Sequence, residues 1–381
     1  MIDGFTDEQE PMSAVPADSI GIGTLLERYK KPESDGWLIN FHELPEDMTG
    51  YNVSGIFEVV DGEIRIPHML VRVEGKGADQ EFTSKLAIYR CSENGRECWP
   101  TEISNLPGLI EGKIAQDPAI SYVKDNWVVT WVEVEPHDRA DPTKGSDFKT
   151  ITAIGGTLDK LVRLFETESG TKGLRYVELI DGRIGLTSKT SKDGVNKMCF
   201  KIFDSWEDIT AETLASAKEI KGLEGLVVND VDEKKRRWIG PNGLQLLANG
   251  DLSLLFHAAR FVENGIVGNR EYDVAHCVLT PGPGDDPAQA RYPKIIARAK
   301  DFNISVEVLP PKRPDLEFVS YPSWLGMAAL SGDEAILLAA LRDAGEVGQK
   351  VPDPLVHWRT DHPEFANNPF PQSTGRLALA A

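Results

Sequence analysis

The amino-acid sequence predicts an all-β fold, one five-bladed β-propeller, on three observations. An apolar strand, a two-residue turn and a second apolar strand recur five times along the 381 residues. The turns are Asp-Gly or Asn-Gly, or the looser Asp-Asn and Ser-Gly, and such pairs supply the positive φ that a tight hairpin needs. Their spacing of roughly 55–85 residues suits a four-stranded blade with insertions, and helical periodicity is scarce.

The repeat consists of five predicted hairpins. They span residues 57–66, 122–131, 177–186, 244–254 and 327–338. Trp127 and Trp131, in the second hairpin, are expected to pack in the core, and the best helix candidate, residues 209–219, is short. A β-sandwich or two unrelated β domains is the alternative fold, but a sandwich needs no hairpin repeated at this spacing.

Composition divides the chain into three parts. Residues 1–20 are acidic and contain proline, which predicts a mobile arm. Residues 21–359 are expected to form the single propeller domain, and residues 360–381 an irregular tail.

The formal net charge is −19, from 41 basic and 60 acidic residues. This balance argues against nucleic acid and anionic membranes as bulk partners. The N-terminus has no basic stretch followed by an apolar run, and no window resembles a membrane span, so a cytoplasmic location is expected.

The four cysteines contain no C-x-x-C spacing, which leaves zinc and redox motifs unsupported. Cys91 and Cys98 flank an apparent hairpin tip and could face each other across it. Free, reduced thiols are nevertheless the expectation, because disulfides are rare in the cytosol.

Candidate site residues come from the inner strands. The first strand of each blade lines the central channel of a propeller, so residues at its start are expected at the channel mouth. Positions just before the hairpins are Asn52, Asp117, Lys172, Arg175, Asn242 and Trp324, and positions near the ends of the second strands are Arg72, Glu133, Lys189, His257 and Asp343.

Asp117 is the best acid among these positions, although an Asp before Pro is often only a turn residue. Lys172, Arg175, Lys189 and His257 are either solvated surface residues or, gathered at one channel mouth, a site for phosphate through charge-assisted hydrogen bonds. No glycine-rich phosphate loop and no paired metal-ligand motif occurs in the sequence.

Segments in a fixed order resemble the β-mannoside phosphorylase superfamily of glycoside hydrolase family 130, and especially the mannosyltransferase/phosphorylases of glycosyltransferase family 108. The resemblance covers roughly residues 36–348 and rests on VRVEG (71–75), QDPAI (116–120), KGLRYVELIDGRIG (172–185), GPNG and LLFHAA (within 240–259) and the long segment 270–302, in which YPKIIAR is the most specific part. Four residues depart from the family pattern. An acidic residue is common in place of Gln116, Asp in place of Gly173, Arg in place of Lys189 and Gly in place of Ala258.

The resemblance implies a carbohydrate-active enzyme, an inverting β-mannoside phosphorylase or mannosyltransferase, with β-1,2 the expected linkage. It implies Asp117 as the single acid, with phosphate ligands Lys172, Arg175, Lys189, His257 and Tyr272, and sugar ligands Asn52, Arg72, Glu133, Asn242, Trp324 and Asp343. Inorganic phosphate or a mannosyl phosphate is the expected co-substrate, with no other cofactor and no metal. A nucleotide sugar is the donor in some relatives, and a homo-oligomer is left open.

Two alternatives remain at this point. An inverting glycoside hydrolase would need a second carboxylate, with Glu133 or Glu178 as the candidate, roughly 6.5–9.5 Å from Asp117. A non-catalytic carbohydrate-binding propeller would tolerate Asp117→Asn without loss of function.

Overall fold

The computed structural model describes residues 36–38, 40–43, 48–60, 63–75, 83–92, 97–101, 105–137, 146–192, 195–223, 226, 238–247, 250–261, 270–284, 286–297, 321–329, 335–342 and 354–360. The predicted arm and tail, residues 1–20 and 360–381, lie outside these ranges except for residue 360. No helix within them is long and apolar enough to cross a membrane.

Almost all regular structure in these ranges is β-strand. The strands are β1 (Gly36–Leu38), β2 (Asn40–Phe41), β3 (Met48–Val60), β4 (Glu63–Gly75), β5 (Lys85–Cys91), β6 (Glu97–Pro100), β7 (Ile114–Val123), β8 (Asn126–Pro136), β9 (Ser146–Gly155), β10 (Val162–Glu166), β11 (Thr171–Glu178), β12 (Ile184–Lys192), β13 (Val195–Phe203), β14 (Lys218–Glu219), β15 (Trp238–Leu246), β16 (Leu252–Phe261), β17 (Arg270–Thr280), β18 (Gln289–Ala297), β19 (Tyr321–Ala329), β20 (Ala335–Arg342) and β21 (Pro354–Thr360). The helices are α1 (Asn105–Ile110), α2 (Ala211–Ala215) and a 3₁₀ turn at Leu158–Lys160.

These strands form sheets in chain order. The four-stranded sheets have the orders β7-β8-β9-β10, β11-β12-β13-β14, β15-β16-β17-β18 and β19-β20-β21-β1, and a five-stranded sheet has the order β3-β4-β5-β6-β2. The first strands β3, β7, β11, β15 and β19 contact one another in sequence, and β19 contacts β3, so their cycle is closed. The predicted all-β propeller class is therefore confirmed.

The prediction of five four-stranded blades is wrong, because only four of the sheets in the described ranges have that form and the remaining sheet has five strands. The sheet containing the first hairpin gains β2, which pairs parallel with β6 (Asn40 opposite Glu97). The strand just before it, β1, pairs with β21 (Gly36 opposite Val356) and completes the last sheet. The N-terminal segment thus bonds to both the last sheet and the first.

All five predicted hairpins are present as the antiparallel pairs β3–β4, β7–β8, β11–β12, β15–β16 and β19–β20. The turn of the second has positive φ at both Lys124 (49°) and Asp125 (58°), the geometry of a tight turn that follows the twist of the strands. The predicted helix at 209–219 is shorter than expected. It begins after Thr210, whose side chain accepts a hydrogen bond from the Thr213 backbone N–H, and Lys218–Glu219 instead form the edge strand β14.

Apolar side chains fill the spaces between adjacent sheets. Trp127 and Trp131 are 6% and 0% exposed and pack in the cluster that joins the first sheet to the second, as predicted. A second cluster, around Leu174 and Tyr176, joins the second sheet to the third, and a third, around Phe256, joins the third to the fourth. The inner strands β7 and β11 are therefore held by packing on both sides.

Cys91 and Cys98 form a disulfide, which corrects the expectation that these thiols are free. They are register partners on β5 and β6, which brings their Cα atoms to 4.1 Å. The sequence placed them at a hairpin tip, but only the strand register sets them directly opposite each other. Cys199 and Cys277 are free and buried, as expected.

We expect loss of the disulfide to lower the stability of the protein. A disulfide between residues 7 apart in sequence restricts the unfolded chain, and this adds about 2–3 kcal/mol to the free energy of unfolding. Urea unfolding with and without reductant measures this difference. The Cys91→Ser/Cys98→Ser double variant is the control and should not respond to reductant. Alkylation of both Cys91 and Cys98 in the native, unreduced protein would contradict the disulfide.

Candidate active site

A β-bulge recurs near the start of the first strand of every sheet. The register to the second strand shifts between Tyr51 and Ser54, Gln116 and Ala119, Lys172 and Arg175, Pro241 and Gly243, and Trp324 and Gly326. A bulge breaks the alternation of side chains between the two faces of a strand and turns one of them in a new direction. These five positions contain or adjoin the residues that the sequence selected before each hairpin.

Asp117 lies in the bulge of β7. Its φ is +46°, in the left-handed region that non-glycine residues rarely adopt, although Asp tolerates it better than most. Pro118 follows, and its nitrogen has no hydrogen to leave unpaired where the ladder is interrupted. The Asp117 side chain keeps 35% of its surface exposed, so it is reachable from solvent.

Two cations from neighbouring sheets hold the Asp117 carboxylate. Arg72 Nη1 lies 3.3 Å from Oδ1, and Lys172 Nζ lies 3.7 Å from Oδ2. Arg72, on β4 of the preceding sheet, is 4% exposed, and its Nε donates to Ser84 Oγ at 2.7 Å. Asp117 is therefore fixed between the first and third sheets.

Lys189 extends the cluster along the third sheet. It pairs across β11–β12 with Lys172 and is buried, with 4% of its surface exposed. Gly173, in the intervening bulge, has φ +72°, and a Cβ there would lie 3.0 Å from Pro241 Cδ and 3.4 Å from Lys189 Cβ. The left-handed φ and this close approach of β15 to β11 both favour glycine at position 173.

Arg175 and His257 meet at Asn242. Arg175 Nε donates to the backbone oxygen of Asn242 at 2.7 Å, and Asn242 Oδ1 lies 2.8 Å from His257 Nδ1. Burial lowers the pKa of Arg175 to about 10, an effect that the Asp117 carboxylate opposes, so the guanidinium remains charged at neutral pH.

His257 lies among the cations and is neutral at pH 7. Burial, and then the charges of Lys189 and Lys172, hold its pKa well below the usual value, while Asp117 acts in the opposite direction. The imidazole also packs over Gly240: a Cβ on that glycine would lie 2.5 Å from His257 Cε1 and 3.0 Å from Lys189 Cδ.

The structure brings most of the sequence-selected residues together. The shared cluster, called the cation cluster below, comprises Arg72, Lys172, Arg175 and Lys189. Arg72 and Lys172 contact Asp117, while Arg175 and Lys189 lie beside Asn242 and His257. Glu133 is placed differently: it is buried, forms an ion pair with Arg163 and accepts a hydrogen bond from Trp131 Nε1 at 3.3 Å.

The remaining selected residues have a backbone position at most. Asn52, Tyr272 and Trp324 lie on β3, β17 and β19, but their side chains are outside the described part of the structure, as is the whole of Asp343. Their roles stay predictions. Sequence reasoning missed Ser84, which carries no motif, and it selected the GPNG segment without giving Gly240 a role.

The arrangement can bind an oxyanion beside a carboxylate. Arg72 and Lys172 contact one carboxylate, and Lys172, Arg175 and Lys189 lie around one imidazole, in a chain whose formal net charge is −19. Charged donors of this kind bind phosphate oxygens more strongly than neutral ones do. No three His, Cys, Asp or Glu side chains of the described ranges come together as metal ligands would.

Comparison with known families gives one match. A family model described as "Protein of unknown function (DUF1861)" matches residues 27–357. No curated protein sequence matches the chain.

Solved structures share the fold at low identity. A mannose phosphorylase, MPT-4, from Leishmania mexicana in complex with a phosphate ion is 18% identical, with a TM-score of 0.64 over 89% of this chain and 91% of that one. A GDP-Man-dependent mannosyltransferase, MPT-1, from the same organism is 19% identical, with a TM-score of 0.64 over 91% and 95%. A β-1,2-mannobiose phosphorylase from Listeria innocua is 13% identical, with a TM-score of 0.49 over 87% and 95%. The resemblance indicated by the sequence motifs is confirmed, and the two Leishmania mexicana structures, with TM-scores of 0.64, show a common fold.

We expect Gly240→Ala to destabilise the protein by about 1–3 kcal/mol, because the new methyl would overlap the His257 ring. Gly156→Ala is the matched control: a Cβ there meets nothing within 4 Å and the residue is exposed. Equilibrium urea unfolding of both variants measures the difference. Equal stability of the two variants would show that the imidazole does not pack over Gly240.

Proposed function

We propose that this chain, which belongs to the family described as "Protein of unknown function (DUF1861)", is an inverting mannoside phosphorylase or mannosyltransferase. The observation that carries the proposal is the Asp117 carboxylate held beside cations from two neighbouring sheets. A carboxyl group that transfers a proton and a cationic site for phosphate are together sufficient for this reaction class, because phosphate is itself the nucleophile.

In the synthetic direction Asp117 acts as the base. Its carboxylate, ionised beside Arg72 and Lys172, accepts the proton of the acceptor hydroxyl, directly or through a second sugar hydroxyl. The hydroxyl oxygen then bonds to the anomeric carbon of a mannosyl phosphate as the bond from that carbon to the phosphate oxygen breaks. The phosphate departs with the electron pair of that bond, and the configuration at the anomeric carbon inverts.

Phosphorolysis is the reverse of this step. Protonated Asp117 gives its proton to the glycosidic oxygen as the bond from that oxygen to the anomeric carbon breaks, and a phosphate oxygen attacks from the opposite face. The same group thus acts as acid in one direction and base in the other, as microscopic reversibility requires.

Three members of the cation cluster, Lys172, Arg175 and Lys189, are the proposed phosphate ligands, together with the adjacent His257 and with Tyr272 as a further one. Lys189 is buried and Arg175 is held by the Asn242 backbone, so both are ordered before the anion arrives. The phosphate ion in the Leishmania mexicana mannose phosphorylase is consistent with this choice of ligand. Sugar hydroxyls are assigned to Asn52, Arg72, Asn242 and Asp343, and stacking to Trp324; Glu133 is less suited, since Arg163 already pairs with it.

The five-stranded sheet is proposed to serve as the fifth blade around one channel. The closed cycle of first-strand contacts and the bulge shared by all five first strands support this count. Inorganic phosphate or a mannosyl phosphate is the only co-substrate that the proposed reaction needs. The cytoplasmic location stays a prediction, and the Cys91–Cys98 disulfide weighs against it because disulfides persist mainly in oxidising compartments.

The inverting hydrolase is less well supported. Its second carboxylate must lie roughly 6.5–9.5 Å from the acid. Glu178 accepts a hydrogen bond from the Lys124 backbone N–H, at the far end of β7, on the order of 20 Å along the strand from Asp117. Glu133 is occupied by Arg163 and Trp131. A non-catalytic sugar-binding propeller differs from both in its tolerance of Asp117→Asn.

We expect Asp117→Asn to lower kcat about 10²–10⁴-fold, because the amide cannot exchange the proton. Phosphate release from mannose 1-phosphate and mannose measures the rate. Asp147→Asn, an exposed carboxylate on β9 paired with His137, is the control and should leave the rate unchanged. Full activity of Asp117→Asn, or phosphate-independent hydrolysis of mannosides as the only reaction, would overturn the proposal.

Lys189→Met is expected to raise KM for mannose 1-phosphate about 10–100-fold, since a charge-assisted hydrogen bond to the phosphate is lost while the volume is kept. Lys201→Met is the comparison, because Lys201 bonds Ser216 at the surface of the third sheet. Initial rates at varied sugar phosphate concentration give both values. Similar KM values for the two variants would remove Lys189 from the phosphate site.

A further inference from the structure

Asn242 joins two elements of the candidate site through separate groups. Its backbone oxygen accepts from Arg175 of the third sheet, and its side chain bonds His257 of its own sheet. It lies in the bulge of β15, between Pro241 and Gly243. A change of the side chain therefore alters the histidine contact and leaves the carbonyl that holds Arg175.

The bond from Asn242 determines which nitrogen of His257 carries hydrogen. An amide oxygen only accepts, so Nδ1 must be the donor across the 2.8 Å contact. In a neutral imidazole the other nitrogen, Nε2, then has no hydrogen. Any further proton must bind at Nε2.

The charges around His257 oppose that further proton while the site is empty. Lys172 and Arg175 on β11 and Lys189 on β12 repel it, and Asp117 on β7 attracts it. Burial acts in the same direction as the three cations. An oxyanion with two negative charges among these cations would reverse the balance, because opposite charges nearby favour the protonated ring.

We propose that Asn242 is a positioning residue: it holds His257 with hydrogen on Nδ1, so that Nε2 takes up one proton from solvent when an oxyanion binds in the cation cluster. The inference rests on the anion site of the proposed function. One proton leaves the solvent, one N–H bond forms at Nε2, and no bond of the ligand breaks.

The affinity for the anion is expected to change with pH in one direction. The pKa of His257 is low in the empty site and higher in the occupied site, so protons are taken up between those two values. Anion affinity therefore rises as the pH falls through that window. Sulfate is the clearest probe, because its charge does not change across it.

Calorimetric titration with sulfate, and then with inorganic phosphate, in buffers of different ionisation enthalpy counts the protons taken up. We expect uptake approaching one proton per sulfate for the wild type near neutral pH. Asn242→Ala should weaken sulfate binding about fivefold and lower the uptake to less than half, since one hydrogen bond to the imidazolium is lost. Asn126→Ala is the control and should leave sulfate affinity and proton uptake unchanged. It removes an amide in a distant turn that donates to the Lys124 carbonyl at 2.7 Å.

Asn242→Asp keeps the shape of the side chain and offers a carboxylate to Nδ1. The ring should then be protonated before the anion arrives, so proton uptake falls although folding is retained. Nitrogen chemical shifts of the histidine rings, with His257→Gln for assignment, report the tautomer directly. We expect hydrogen on Nδ1 in the empty wild type, a mixture in Asn242→Ala and an imidazolium in Asn242→Asp.

Each outcome decides between the two proposals. Anion binding without proton uptake, uptake unchanged in Asn242→Ala, or hydrogen on Nε2 in the empty wild type overturns the role of Asn242 and leaves the proposed function standing. A failure of both sulfate and phosphate to bind overturns the anion site and this inference together.

Discussion

The β-bulge near the start of the first strand of each sheet is the constraint on which the candidate site depends. A regular strand would send successive side chains alternately to its two faces. The bulge in β7 turns Asp117 so that its carboxylate lies between Arg72 of one neighbouring sheet and Lys172 of the other. Side chains of three sheets therefore meet at one carboxylate, next to the cations of the third sheet.

The site combines strained backbone with tight packing. Asp117 has a left-handed φ, and Gly173 and Gly240 leave no room for a Cβ beside Pro241 and His257. Such positions cost stability and persist because the surrounding sheets hold them. The apolar clusters between the sheets supply that support.

Local turn chemistry made the hairpins predictable from sequence, because a two-residue turn with positive φ needs particular residues. The bulges were not predictable, since they arise from pairing between strands and leave no composition of their own. Asp117 could be selected because it precedes a hairpin and matches a family motif. Ser84, which accepts a hydrogen bond from Arg72, has neither signal. Glu133 shows the same limit: its position in the strand suggested the channel, while its ion pair with Arg163 of β10 depends on a contact across the sheet.

The departures from the predicted fold have a similar cause. The disulfide depends on Cys91 and Cys98 being register partners, and the fifth strand of the first sheet depends on where β1 ends against β21. The first is a matter of register within one short hairpin, and the second is a matter of closure, which joins residues far apart in the chain. A sequence pattern reports neighbours along the chain and is silent on such pairings.

A crystal structure of the protein with inorganic phosphate bound would locate the anion relative to Asp117 and the cation cluster. We expect a phosphate ion with oxygens about 2.7–3.2 Å from Lys172 Nζ and Lys189 Nζ, on the side of the cation cluster away from the Asp117 carboxylate. Phosphate bound instead in the groove between Lys201, Lys218 and Gly284, with the cation cluster empty, would contradict this expectation.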